Sequence, residues 1–293
     1  MSKIYEALER SEKERGGDLK KAPPLILEKK EETKSETERI LPLSGTAGRI
    51  SDPRLVSFFQ PGSQASEQFR KLRTYLLRYK NLEFPRTIMV TSATNGEGKT
   101  FVSANLAVGI ANDLQAHALL VDCDLRNPNI TQWFGIKNGV KGISNYLIGN
   151  EEISELLIKT KVEKLSILVS GTIQDNPTEL IGSKKMETLV QELKSRYHDR
   201  YIIFDSTPLL ATTEPEVLAK LVDGILIVVR AGVTPRETLK QAIASLEKEK
   251  ILGFVLNDLK FKSSGLSSRY FGANGYYYQY GYGKNKNKSK PKS

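Results

Sequence analysis

RTIMVTSATNGEGKT, residues 86–100, is the stretch that decides the fold. Ile88, Met89 and Val90 form an apolar run of buried-strand type, and the run ends in a small-residue loop that closes on Gly98, Lys99 and Thr100. The order is strand, phosphate loop, helix. A loop with little side-chain bulk lets successive backbone N–H groups wrap around phosphates, while the lysine supplies positive charge and the threonine hydroxyl can ligate Mg²⁺. The helix expected over Thr100–Asn112, apolar at Phe101, Val102, Leu106, Val108 and Ile110, adds the favourable end of its dipole. Strict forms of such a loop begin with glycine; Ala93 holds that place here, which makes the loop a permissive variant.

A chain of 293 residues holds one large α/β domain plus tails. It contains no apolar run of the roughly 18 residues needed to cross a bilayer. The opening MSKIYEALERSEKERGG has no apolar signal-peptide core, which reads against export. The single cysteine, Cys123, can form no internal disulfide and suits a reducing cytoplasm; with only His117 and His198 beside it, a Cys/His metal site is not expected. The net charge of +10 is unevenly placed. Lys260, Lys262, Arg269, Lys284, Lys286, Lys288, Lys290 and Lys292 follow one another with no acid among them. Such a basic tail can bind anionic lipid or nucleic acid, or simply solubilise the end of the chain.

Taken in order, residues 1–15 read as a short amphipathic helix, with Ile4, Ala7 and Leu8 on one side, too short to stand alone and expected to dock on something. Gly16 and Gly17 end it. Residues 16–52, with Pro23, Pro24 and a charged run, are too polar to bury a core and read as a flexible linker. The folded domain is expected over 53–258. It opens on a helix at about Ser63–Tyr79 whose Ala65, Phe69, Leu72, Leu76 and Tyr79 share one face, while Glu67, Arg70 and Arg73 line the other and point away from the core. That row is either a solvated face or a subunit contact in which guanidinium forks pair with a neighbour's carboxylates.

After the phosphate loop, Ala118–Val121 is a second buried strand and runs straight into Asp122, Cys123, Asp124, Leu125 and Arg126. Residues at the carboxyl end of a parallel strand face the ligand crevice, where two carboxylates and an arginine can hold metal, orient a hydroxyl and neutralise phosphate. Gly142–Gly149 and Glu151–Thr160 read as short helices, Leu165–Val169 as a third strand, and Met186–Tyr197 as a helix. Tyr201–Phe204 repeats the device of an apolar strand ending in a carboxylate, Asp205. Gly224–Val229 and Leu252–Leu256 complete a sheet of strands alternating with helices. Asn257 is placed to meet a nucleotide base or to serve as a polar turn residue. Residues 259–293 lack any apolar periodicity and read as a disordered tail. Tyr270, Tyr276, Tyr277, Tyr278, Tyr280 and Tyr282 lie there among Gly, Asn and Ser, as sticky or base-stacking aromatics or as substrates in their own right.

Together these motifs resemble the bacterial tyrosine kinases (BY-kinases) of capsule and exopolysaccharide assembly, over about Ser63 to Tyr282. Ala93–Thr100 looks like their Walker A motif, Leu119–Arg126 like Walker A′ with its D-x-D-x-R, and Ile202–Pro208 like Walker B. Glu67-x-x-Arg70-x-x-Arg73 matches the family's oligomerisation motif, and the tyrosine cluster matches its autophosphorylation tail. The opening MSKIYEAL is also similar to cytoplasmic autokinases that accompany exosortase-type polysaccharide systems. The resemblance implies a P-loop NTPase fold, a mostly parallel sheet flanked by helices, with ATP and Mg²⁺ as cofactors. Asn95, which stands where many relatives have proline, joins Gly96, Glu97, Gly98, Lys99, Thr100, Phe101, Arg126 and Asn257 as the implied nucleotide-binding set. Thr100, Asp124 and Asp205 are the implied metal shell, and Lys99, Asp122, Asp124 and Asp205 the catalytic set, Asp122 orienting or deprotonating the incoming tyrosine.

The family's transmembrane activator domain is absent, so the resemblance implies a separate membrane chain-length-determinant protein that recruits a cytoplasmic kinase to the inner face of the plasma membrane. It also implies a homo-oligomer, with a ring expected, a cognate tyrosine phosphatase and protein tyrosine substrates, and no nucleic acid. The segment from Asn257 to Tyr282 has a flexible span of roughly 28 Å, and about 85 Å fully extended, so it can serve its own site or a neighbour's. Six phosphotyrosines would add roughly −9 to −12 and reverse the sign of the tail. ParA/MinD-like positioning ATPases use the same scaffold and are the competing reading. Their loop carries an extra lysine five residues before the P-loop lysine, where this chain has Thr94, and the tyrosine tail has no purpose in them.

Overall fold

Alternation along the strands sorts this chain into two cores. The computed structural model describes residues 48–77, 85–196 and 200–259. Within them β1 (Thr87–Ser92), β2 (His117–Asp122), β3 (Ile158–Lys159), β4 (Leu165–Leu168), β5 (Arg200–Asp205), β6 (Gly224–Arg230) and β7 (Ile251–Asn257) form one sheet in the order β3-β4-β2-β5-β1-β6-β7. All pairs are parallel except β3 with β4. Ile88 and Val90 of β1, Leu120 of β2, Ile203 of β5 and Val228 of β6 point to one face, covered by α1 (Gln64–Leu77) and α2 (Lys99–Ala111) through Phe69, Leu76, Leu106 and Ile110. Met89, Leu119, Phe204 and Ile227, one residue out of step, point to the other face. There α3 (Lys184–Arg196), α4 (Glu214–Leu221) and α5 (Arg236–Ile243) supply Met186, Leu189, Leu193, Leu218 and Ala242. Each large aliphatic side chain so buried contributes about 1.5–3 kcal/mol of transfer free energy. The α2 helix is apolar nearly all round because α1 and the one-turn helix Val56–Phe59 pack on the side turned away from the sheet.

The strand order puts β5 between β1 and β2, so that Asp205 lies level with Val90 on one side and Asp122 on the other. The sheet's connections diverge at this point, which opens a crevice at the carboxyl ends of the strands.

Four readings of the sequence are corrected here. Glu151–Thr160 is not one helix: a single turn, Ile153–Leu156, gives way to β3, whose Ile158 is buried in the core. Two residues are too few for a periodicity to reveal. The linker ends sooner than expected, because Ile50 is 3% exposed and the Gly48 N–H donates to the Gly135 carbonyl at 3.1 Å. In α1, Ala65 is exposed and Ser66 is buried in its place, its Oγ donating to the carbonyls of Val56 (2.8 Å) and Gln60 (2.7 Å). The charged row of α1 is not uniformly turned outward. Arg73 reaches the carboxyl end of α2, where its Nη1 donates to the Gly109 carbonyl at 3.0 Å and its Nε lies 3.9 Å from Asp113. The last carbonyls of a helix have no partner within it and favour a cation. Arg70 is held locally, by Glu67 Oε2 at 2.8 Å and the Pro61 carbonyl at 2.8 Å. The helix and most of the linker expected over 1–52, Tyr79, Tyr197 and the tyrosine tail lie outside the described residues.

Asp223 staples the entrances of β1 and β6. Its Oδ2 accepts from the N–H groups of Arg86 (3.1 Å) and Thr87 (3.0 Å) and from the Thr87 hydroxyl (2.8 Å), and its Oδ1 is paired with the Lys194 ammonium. Burial alone would push this carboxyl up; the Lys194 ammonium and the Thr87 donors outweigh it and hold the group below its ordinary value. A carboxylate with a depressed native pKa contributes stability above its unfolded pKa, about 3.9, and loses it as pH falls through the native value. Asp223→Asn is therefore expected to lower unfolding free energy by about 1–3 kcal/mol at neutral pH. In urea titrations the gap to the parent protein should close progressively below about pH 4.

Candidate active site

The loop between β1 and α2 is shaped by two glycines in left-handed conformation, Gly96 (φ 76°) and Gly98 (φ 98°). Thr94, Asn95 and Gly96 are exposed at its tip. Glu97 turns inward: it is 2% exposed, and its Oε1 accepts from the Thr94 hydroxyl at 2.7 Å and the Thr94 N–H at 3.2 Å. Only its backbone remains for phosphate. The same holds for Phe101, whose ring packs edge-on against Phe69 with centroids 5.6 Å apart. Lys99 is 8% exposed, and its ammonium charge acts on Asp205 and Asp124. The first-turn N–H groups of α2 are free of intrahelical partners by construction, which makes this loop an anion cradle.

Asn257 closes the loop from behind. Its Nδ2 donates to the Glu97 carbonyl at 2.9 Å, so only its Oδ1 is left to meet a base. A Cβ at Gly98 would stand 2.1 Å from that same Nδ2.

Three carboxylates converge below the loop. Asp205, 2% exposed at the end of β5, has an Oδ1 with no hydrogen-bond partner among the described residues. Burial pushes its carboxyl up to about 6, against the pull of the Thr100 hydroxyl, the Lys99 ammonium and the Ser103 hydroxyl. Asp122 has no exposed surface; its Oδ1 accepts from the Asp124 N–H at 3.2 Å and its Oδ2 from the Ile130 N–H at 3.3 Å. Burial, then the charges of Asp205 and Asp124, push it well above the usual carboxylate range. Asp122, the residue expected to orient or deprotonate the incoming tyrosine, thus lies at the floor of the crevice with both carboxylate oxygens engaged by backbone N–H groups. Asp124 is the half-buried member at the rim, with Oδ1 accepting from the Asn127 N–H at 2.9 Å. Burial raises its pKa as well.

This donor set fits a divalent cation bound together with phosphates. A buried carboxylate oxygen without a partner is costly unless a ligand supplies one, and Asp205 offers it beside the Thr100 hydroxyl. No group of three or more His, Cys, Asp or Glu side chains able to hold a metal alone occurs among the described residues. A partial shell of one or two carboxylates completed by substrate phosphates is how Mg²⁺ is commonly held.

Sequence reasoning missed one member of the site. Arg126 donates from Nε to Oε1 of Glu214, the first residue of α4, at 2.9 Å, while its Nη2 lies 2.8 Å from the same oxygen as an ion pair and donates to the Thr178 hydroxyl at 3.4 Å; that hydroxyl, on the short helix Pro177–Ile181, donates in turn to Glu214 Oε1 at 3.0 Å. Glu214 is 3% exposed. Its only local signal is an acid beside Pro215 at the start of a helix, which reads as an ordinary helix start.

The sequence profile of the AAA domain family matches residues 85–252. Over 215 residues the chain is 34% identical to the tyrosine-protein kinase YwqD of Bacillus subtilis, spanning 70% of this chain and 86% of that protein. It is 29% identical over 207 residues to the tyrosine-protein kinase CpsD of Streptococcus agalactiae, spanning 69% and 85%. The kinase domain of the Escherichia coli tyrosine kinase ETK superposes with a TM-score of 0.67 at 28% identity, covering 74% of this chain and 84% of that one.

Gly98→Ala is expected to destabilise the fold by more than the about 1–2 kcal/mol that a left-handed conformation costs an alanine. The excess comes from the clash with Asn257, so in an Asn257→Ala background the penalty should fall to about that conformational cost. Urea unfolding of the two single variants and the double variant measures this.

Proposed function

The chain belongs to the bacterial tyrosine-protein kinase family, and from that premise we propose that it is a MgATP-dependent autokinase whose substrates are its own tail tyrosines, Tyr270, Tyr276, Tyr277, Tyr278, Tyr280 and Tyr282. The observation that carries this reading is the unpartnered Oδ1 of buried Asp205 beside Lys99 and Thr100, a cation and phosphate site in waiting. The named relatives favour it over a positioning ATPase. Thr94, where those ATPases carry a further lysine, spends its hydroxyl on Glu97.

MgATP, when bound, supplies the phosphoryl group and a cation that offsets its charge; transfer then needs mainly positioning and electrostatic stabilisation. The N–H groups of Asn95–Phe101 hold the phosphates, Lys99 neutralises the β/γ oxygens, and Thr100, Asp124 and Asp205 hold the cation. The acceptor hydroxyl is oriented by the Asp122/Asp124 pair. Asp124 meets it at the rim. Asp122 takes part only when the acceptor reaches the floor and displaces one of its two backbone hydrogen bonds. Arg126 and Asn257 contact phosphate and base respectively.

Transfer runs between subunits of a ring joined through Glu67, Arg70 and Arg73. A separate membrane activator recruits the protein to the inner face of the plasma membrane, a tyrosine phosphatase resets it, and the cycle regulates polysaccharide synthesis and export, with other protein tyrosines as further substrates. No helix among the described residues is long and apolar enough to cross a membrane.

Intact-mass and peptide mass spectrometry of the full chain, with and without MgATP and beside Lys99→Met, tests the reading. One phosphoryl mass per modified tyrosine between Tyr270 and Tyr282, absent from Lys99→Met, is the expected result. No tyrosine modification, even with a cytoplasmic activator segment added, would overturn it.

A further inference from the structure

The two loops that carry the cation carboxylates are bolted to each other. Arg126 lies two residues beyond Asp124, and Glu214 lies at the far end of the loop that begins at Asp205. The second loop is itself braced: the hydroxyls of Thr207 and Thr212 are 2.6 Å apart, and the Thr91 hydroxyl at the end of β1 donates to the Thr207 carbonyl at 2.9 Å. The bolt is the pair of Arg126 and Glu214, with Thr178 as a third member drawn from another helix.

The form of this pair is not that of a stabilising surface ion pair. The Glu214 side chain is 4% exposed and that of Arg126 is 48% exposed, so a buried carboxylate holds a guanidinium that stands in solvent. Two hydrogen bonds, from Arg126 Nε and the Thr178 hydroxyl, fall on Oε1, with Nη2 a further 2.8 Å ion-pair contact, whereas Oε2 is buried with no hydrogen-bond partner among the described residues. Exposed ion pairs add little to stability, and burial of a carboxylate generally costs more than its pairing returns. On the guanidinium, Nε and Nη2 are committed and Nη1 has no partner among the described residues. A planar fork held at one edge presents its other edge in a fixed direction, which suits the oxygens of a phosphoryl group. Burial alone would push the Glu214 carboxyl up, but the Thr212 hydroxyl and its own backbone N–H, then Arg126 and Thr178, hold it below its ordinary value.

We propose that Glu214 is a positioning residue for phosphoryl transfer, its buried carboxylate fixing the Arg126 guanidinium so that the free edge meets the charge that builds on the transferred phosphoryl group. The inference rests on the kinase reading above and names a residue which that reading does not include. Glu214 acts through Arg126 and touches neither nucleotide nor acceptor.

A double-mutant cycle on the full chain tests it, reading the turnover rate of MgATP-dependent tyrosine phosphorylation together with the dissociation constant for MgATP. Glu214→Gln keeps the shape but weakens the grip and is expected to lower turnover about 10–100-fold, the scale of a misplaced catalytic group, with MgATP affinity nearly unchanged. Arg126→Ala should lose as much, and the double variant no more than Arg126→Ala alone, because the two act as one unit. Losses that multiply, a Glu214→Gln protein with parental turnover, or a loss explained by weaker MgATP binding would each overturn the proposal.

Should Glu214→Gln fail to fold by its thermal transition, Arg126→Lys serves instead. It keeps the charge but cannot be gripped by two nitrogens, so it is expected to turn over as slowly as Arg126→Ala; parental turnover would overturn the proposal. The parent and Lys99→Met proteins run alongside separate the two claims. Phosphorylation by the parent alone upholds the kinase reading whatever the cycle shows. Its absence from the parent overturns that reading and this inference with it.

Discussion

Buried negative charge at the carboxyl ends of β1, β2 and β5 is the constraint on which the rest of this structure depends. Asp122 and Asp205 stand side by side in register, one with no exposed surface and the other with 2%. Two like charges so placed repel in a medium that screens poorly, and each loses its hydration. The fold answers with what lies within reach: backbone N–H groups on Asp122, the Thr100 and Ser103 hydroxyls and the Lys99 ammonium near Asp205. The answer is incomplete, since Asp205 Oδ1 has no partner among the described residues. That residual deficit is what a bound cation and its phosphates would relieve, and it links the architecture of the sheet to the chemistry of the site.

The sheet was legible because its signals are local. Each long strand is an apolar run whose alternate residues serve opposite cores, as Ile88 and Val90 do against Met89, and runs that end in Asp122 and Asp205 announce which end carries the chemistry. The phosphate loop could be read from small residues and a Lys-Thr pair for the same reason. What escaped depends on partners far away in the chain. Glu214 grips an arginine 88 positions earlier, Asp223 staples a strand 136 positions earlier, and Asn257, singled out in the sequence only as a base contact or turn residue, also braces a loop carbonyl 160 positions earlier. No periodicity marks such residues, because their neighbours in sequence do not share their task.

Arg73 shows a subtler failure. Helical spacing says that Glu67, Arg70 and Arg73 lie along one side of α1, and they do follow one another there. Spacing cannot say what stands opposite. A guanidinium on a flexible stem settles on the strongest acceptor in range, and for Arg73 that is the end of α2, with Gly109 and Asp113. The side chain is therefore already part of the monomer's packing and holds the helix that carries Lys99. If a neighbouring subunit also engages this row, assembly and the posture of the phosphate-loop helix share a residue.

The same economy of position holds at the opposite end of α2. Gly98 can turn into the helix only because it lacks a side chain, and the space so left is filled by Asn257. Asn257 is the last residue of β7, and beyond it Asp258 takes a left-handed backbone (φ 55°) while its carboxylate accepts from Arg230 Nε at 3.0 Å. A non-glycine residue in that conformation stores strain that its surroundings must hold in place. The chain that leads to the tyrosine cluster therefore departs from a fixed root, whose preceding residue is hydrogen-bonded to the phosphate loop itself. The geometry thus places the tail's point of departure and the loop that would hold the phosphates in one hydrogen-bonded unit.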